Sequence, residues 1–117
     1  MGGRGERSPR GRDEKVDTAE VEHRTVYSQR GEHEFEYDIV KSKTNKEKHG
    51  IDFEEAQELW DDEKRLVINA DSSTEKRTAT LGKIGDKYYF AVSTERGDNI
   101  RIISVRRARA KEVLEYE

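Results

Sequence analysis

Cysteine is absent from this 117-residue chain, and proline and tryptophan occur once each. Without thiols there is no disulfide scaffold, no thiolate metal site and no cysteine nucleophile, and the chain suits a reducing compartment such as the cytoplasm. Long apolar runs are missing too. Nothing approaches the roughly 18 residues of a membrane-spanning helix, so no membrane association is expected. The arginine-containing N-terminus lacks the apolar stretch of a secretory signal. There is no dinucleotide fingerprint and no phosphate-binding loop. The three histidines, His23, His33 and His49, are dispersed without metal-ligand spacing, so neither a metal nor a cofactor is expected.

Apolar residues are also scarce, at 31% against 42% charged, where an average domain has about 45–50% and 25%. The shortage is uneven. Only six apolar residues fall within 1–34, too few to offset the entropy of ordering that segment. Residues 1–15, rich in glycine and arginine, read as a flexible tail, and 16–34 as coil. The folded unit is therefore expected to be 35–117, a small domain that gains from a partner chain.

The net charge of −3 conceals a polarity along the chain. Residues 35–63 carry ten acids against four lysines, whereas 64–117 carry twelve bases against eight acids. Between Arg96 and Lys111 lie six bases and a single acid, Asp98. A basic end on an acidic protein suits a local anion site, nucleic acid being the common case; a solvated arginine-rich strand and helix is the plainer alternative.

The local patterns predict an α+β fold in the order β-α-α-β-β-β-β-α, with a mainly antiparallel sheet and helices packed on it. Phe35-Glu36-Tyr37 alternates as a strand, and Asp38 caps a helix over about Ile39–His49 that Gly50 ends. Asp52, with Glu55 three residues on, opens a second helix whose core stripe is Phe53, Ala56 and Trp60 with Leu59. Strands follow at 66–68, 77–81, 88–94 and 100–106, joined by Gly- and Asp-containing turns. The last two strands are apolar on both faces, as central strands covered on both sides are. Residues 107–116 form a closing helix. Gly82-Lys83-Ile84-Gly85 matches the GxxG loop of a KH domain literally, but its flanks read as strands, so it is a turn.

Arginines inside the apolar run Asn99–Arg106 need anionic or hydrogen-bonding partners. Strict alternation puts Arg101 on one face and Ser104 and Arg106 on the other, while Thr94 and Arg96 share a face of the preceding strand. With the isolated Arg77, these groups suggest phosphate recognition; internal ion pairing with the acidic helices is the competing account. On the first helix, Asn45 and His49 are four residues apart on one face, with Lys48 beside them.

At these residues the chain resembles the BrnT toxins. Lys48-His49-Gly50-Ile51-Asp52-Phe53-Glu54-Glu55-Ala56, preceded by Phe35-Glu36-Tyr37-Asp38 and Asn45, is similar to the family's opening signature. Thr94-Glu95-Arg96 followed by Arg101-Ile102-Ile103-Ser104-Val105-Arg106-Arg107-Ala108 is similar to its second. Glu112 and Tyr116 match its terminal helix. The family more often has Ala where Val105 stands, and 1–34 has no counterpart. The resemblance spans 35–117 and implies a small RelE-like domain. It implies a ribonuclease toxin of a bacterial type II toxin–antitoxin system, inhibiting translation and growth, neutralised by a DNA-binding BrnA-type antitoxin. Operator DNA is then met only through the antitoxin complex. Homodimer and heterotetramer with the antitoxin both remain open.

The implied chemistry is metal-independent endoribonucleolytic cleavage, with the RNA 2′-hydroxyl as nucleophile and protein groups supplying a base, an acid and cations. Arg77, Arg96, Arg101 and Arg106 are the phosphate and transition-state candidates, and Lys48 and His49 the proton-transfer candidates. Asn45, Thr94 and Ser104 are substrate-binding candidates. Two other readings compete: a toxin-fold protein acting on another target, as ParE-like relatives act on gyrase, and a module that only binds its partner.

Overall fold

A computed structural model describes residues 23–117. Its elements are β1 (Thr25–Arg30), β2 (His33–Asp38), α1 (Ile39–His49), a 3-10 helix (Glu55–Asp61), β3 (Leu66–Asn69), β4 (Thr78–Ile84), β5 (Lys87–Arg96), β6 (Asn99–Arg107) and α2 (Ala110–Tyr116). The six strands form one sheet in the order β1-β2-β6-β5-β4-β3. Every pairing is antiparallel except β2 with β6. The expected α+β class with a mainly antiparallel sheet is therefore what the chain adopts.

The expected coil over 16–34 is corrected in its last part. Thr25–Arg30 pairs residue by residue with His33–Asp38, so a boundary at 34 cuts through a hairpin. This edge strand was obscure because it carries only Val26 and Tyr27 as apolar residues. Besides its ladder with β2, tertiary contacts anchor it: Val26 packs on the core, Ser28 Oγ donates to Gln57 Oε1 at 3.1 Å, and Arg30 bonds Asp61 at 2.8 Å. The tail expected over 1–15, and the expected coil as far as residue 22, lie outside the described residues.

α1 follows its caps. Asp38 accepts from the backbone N–H groups of Val40 and Lys41, and Gly50 ends the helix at φ 78°, a left-handed conformation favouring glycine. The second helix is a 3-10 helix rather than the expected α-helix. Its opening box forms as predicted: Asp52 Oδ1 accepts from the N–H groups of Glu54 and Glu55, and Glu55 Oε1 accepts from Asp52 N–H. Its buried residues are Ala56, Gln57, Leu59 and Trp60; the pairs Ala56/Leu59 and Gln57/Trp60 are each three apart, the spacing at which side chains of a 3-10 turn stack.

The core lies between this segment and one face of the sheet. Phe35 and Tyr37 of β2, Tyr89 and Ala91 of β5, and Ile102 and Val105 of β6 meet Ile51, Phe53, Ala56, Leu59 and Trp60. Edge-to-face pairs join Phe35 to Trp60 at 5.0 Å and Tyr37 to Phe53 at 5.8 Å, a geometry worth about 0.5–1.5 kcal/mol beyond area burial. The opposite face is not covered as expected. Phe90, Val92 and Ile103 are only half-buried there, and Ser104 is exposed, so that face is open for function.

Candidate active site

The open face owes its composition to one extra residue. Ser93 pairs with Ile102, but Val92 pairs with Ser104, so Ile103 is a β-bulge in β6. Because the bulge resets alternation, Arg101, Ser104 and Arg106 stand opposite Thr94, Val92 and Phe90, which share one face of β5. The expectation that Arg101 and Ser104/Arg106 point to opposite faces is thus corrected.

Arg77, Thr94, Arg96 and Arg101 converge on a cavity of about 470 Å³, joined by Lys41 of α1, Lys76, Glu75 and Ile103. Five cations against one wall carboxylate give it a positive balance of charge, of the kind that suits an anion. Arg77 is tied by its Nε to Glu75 at 2.6 Å, and its backbone N–H donates to Asp71. Thr94 Oγ1 donates to the Lys76 carbonyl at 2.9 Å, fixing the Lys76–Arg77 segment beside β5. Arg101 is held from below by Glu36 at 2.7 Å, while Arg96, more exposed, reaches the same oxygen at 3.9 Å.

Lys48, His49 and Ser104 lie in a neighbouring cavity of about 370 Å³ between α1 and β6. Lys41 and Ile103 line both cavities, which are therefore neighbours. His49 and Lys48 are exposed at the end of α1.

Two candidates are engaged elsewhere. Arg106 makes a bidentate pair with Glu112 of α2 at 2.9 and 2.8 Å and lies 4.2 Å over the Phe90 ring. The Arg106 hydrogen bonds, outweighing burial and reinforced by the Arg109 backbone N–H, hold the Glu112 carboxyl down to about 2. Arg106 therefore fastens α2 to the sheet, the ion-pair alternative raised for these arginines. Asn45 lines the second cavity but is 7% exposed. Its Nδ2 donates to the carbonyls of Ile51 and Val105 at 2.8 and 2.9 Å, and its Oδ1 accepts from Val105 N–H at 3.2 Å. β2 pairs with β6 only at Ile100 and Arg101; beyond them the Asn45 amide takes the place of a neighbouring strand.

Lys41, Lys76 and Glu36 escaped the sequence reading. Lys41 had a signal: with Asn45 and Lys48 it falls at i, i+4 and i+7 on one helix face. Glu36 had a weaker one, a carboxylate between two core aromatics. Lys76 had none, since its loop is placed by tertiary contacts.

The fold and this face define a small α+β domain with an open cationic cleft suited to a polyanion. Residues 37–112 match the family model described as "Ribonuclease toxin, BrnT, of type II toxin-antitoxin system". The match covers more than half of the chain, and the chain belongs to that family. A ribonuclease toxin of a type II system has an antitoxin as its partner. A search among curated proteins gives no match at a significant level. Among the described residues no helix is long and apolar enough to cross a membrane.

Proposed function

We propose that this chain is a metal-independent endoribonuclease acting in the cytoplasm, and that the cleft on the open sheet face is its active site. The observation that carries the reading is the convergence of Arg77, Arg96, Arg101 and Lys41 on one cavity in a member of a ribonuclease toxin family. The RNA 2′-oxygen attacks the adjacent phosphorus, the 5′-oxygen leaves, and a 2′,3′-cyclic phosphate and a 5′-hydroxyl end result. A base takes the 2′-hydroxyl proton and an acid protonates the leaving oxygen. Guanidinium groups stabilise the added charge on the phosphorane through fixed, charge-assisted hydrogen bonds.

In this scheme Arg101, Arg77 and Arg96 bind the scissile phosphate, with Thr94 and Ser104 as neighbouring hydrogen-bonding groups. His49 and Lys48 are the proton-transfer candidates, imidazole being the side chain that ordinarily titrates nearest neutrality. Arg106 and Asn45 are left out, their polar groups being engaged within the fold. The antitoxin is of the DNA-binding BrnA type, and it neutralises the toxin and brings it to operator DNA.

The test is cleavage of single-stranded RNA by the purified chain in EDTA, with the termini identified. Undiminished cleavage leaving cyclic phosphate and 5′-hydroxyl ends is the expected result. Cleavage abolished by EDTA and restored by a divalent cation would overturn metal independence. No cleavage of any RNA, with or without metal, would return the cleft to a binding role.

A further inference from the structure

Glu36 is a buried carboxylate beside a cleft lined by five cations and one other carboxylate, Glu75. It stands on β2 between Phe35 and Tyr37, both in the core, so alternation turns it to the open face. It is 7% exposed, and two of its three partners, Arg101 and Arg96, line the cleft. Oε1 accepts from Asn99 Nδ2 at 3.1 Å, and Oε2 accepts from Arg101 NH1 at 2.7 Å. Arg96 NH1 lies 3.9 Å from Oε2. Burial pushes this carboxyl up, but the hydrogen bonds from Asn99 and Arg101, with the charges of Arg101 and Arg96, outweigh it and leave it below its ordinary range. Glu36 is therefore ionised near neutrality and a poor proton acceptor, so it does not serve as the general base.

An anion here weakens phosphate binding by its charge alone, and that cost calls for a geometric return. We propose that Glu36 is the positioning residue for Arg101: it ties one guanidinium nitrogen inward and so aims the remaining N–H groups at the phosphate in the cleft. The proposal rests on the reading of that cleft as the RNA-cleaving site. The placement suits the role. Glu36 pairs directly with Arg101 in the short parallel register of β2 with β6, at the point where β2 runs into the Asp38 cap of α1. Asn99, its other partner, stands opposite Arg96 at the β5–β6 turn. One carboxylate thus links β2, β6 and the end of β5 around a single guanidinium. A donor held before the reaction does not have to be ordered during it.

The test compares the full chain with Glu36→Gln, Arg101→Lys and the double variant in RNA cleavage. Glu36→Gln keeps shape and one acceptor oxygen but removes the charge. The expected result is a kcat lower by roughly 10- to 100-fold, the effect of a small misplacement, with KM unchanged or lower because a negative charge has left the cleft. Arg101→Lys should lose at least as much, and the double variant no more than Arg101→Lys, since one residue acts through the other. Parent-level kcat with tighter RNA binding would mean that Glu36 only tunes charge, and would overturn the proposal. So would fully additive losses, or an earlier melt with parent kcat per folded molecule.

A second readout does not depend on cleavage. The guanidinium resonances of Arg101 should report a fixed side chain in the parent and rotational averaging in Glu36→Gln. An equally fixed Arg101 in Glu36→Gln would overturn the proposal even if the parent cleaved no RNA, an outcome that by itself sinks only the ribonuclease reading. If Glu36→Gln does not fold, Glu36→Asp retains the charge and withdraws it by one methylene, and the same comparisons apply.

Discussion

Asn45→Ala separates a structural residue from a substrate-binding one. The Asn45 side chain makes three hydrogen bonds, to Ile51 O, Val105 O and Val105 N–H. Ile51 is 3% and Val105 1% exposed, so water reaches the freed groups poorly. An unsatisfied buried polar group costs about 1–3 kcal/mol, and a neutral hydrogen bond nets about 0.5–1.5 kcal/mol. With partial relaxation, losing the amide should cost about 2–4 kcal/mol. For a domain of this size each kcal/mol moves the melting midpoint by about 4–8 °C, so a drop of roughly 10–30 °C is expected. Asn45→Asp should be worse at neutral pH, because its carboxylate would face two carbonyl oxygens. Thermal and urea unfolding measure the loss, and the KM for RNA of the folded fraction should stay at the parent value. A variant that melts within about 0.5 kcal/mol of the parent, or keeps its stability and loses RNA affinity, would refute the account of Asn45 as a substitute strand partner.

Arg101→Lys should fold like the parent and cleave roughly 10²–10³-fold more slowly, the usual loss of a transition-state donor; parent-level cleavage would remove Arg101 from the site. Arg106→Lys should melt earlier while its folded fraction cleaves near normally, because its fork serves Glu112 and not the cleft. Glu112 adds a pH signature. Its folded-state pKa of about 2 lies below the ordinary glutamate value of about 4.3, so this stabilisation is full above that range and is lost as pH falls toward about 2. Acid unfolding of Arg106→Lys should lack part of that dependence. Deleting residues 1–32 removes β1 and its ties to Gln57 and Asp61, so the remaining chain should unfold at lower urea than the full chain; an unchanged midpoint would show that β1 contributes no stability.

The sequence determined the elements that obey local rules. Asp38 and Gly50 bound α1 because a capping carboxylate and a left-handed glycine act within one turn of the chain. Hairpin turns at Gly85 and Gly97 follow from the same local chemistry. The set of cationic and polar residues in the cleft was largely legible too, since Arg77, Thr94, Arg96 and Arg101 could be nominated by type. Their convergence was not legible. Whether Arg101 and Arg106 share a face depends on a one-residue bulge at Ile103, which is a matter of register between strands and leaves no local pattern. Which arginine faces substrate and which fastens a helix depends on where Glu36 and Glu112 arrive from distant segments. β1 pairs with β2 as a hairpin but is anchored to the rest of the fold by Val26 on the core and by Gln57 and Asp61, and Asn45 is structural because β2 ends early and leaves the edge of β6 in need of a partner. Residue type and short-range geometry are written in the chain itself; partnership is decided by tertiary structure, because hydrogen-bonding and charged groups are satisfied by whatever the fold brings within about 3 Å.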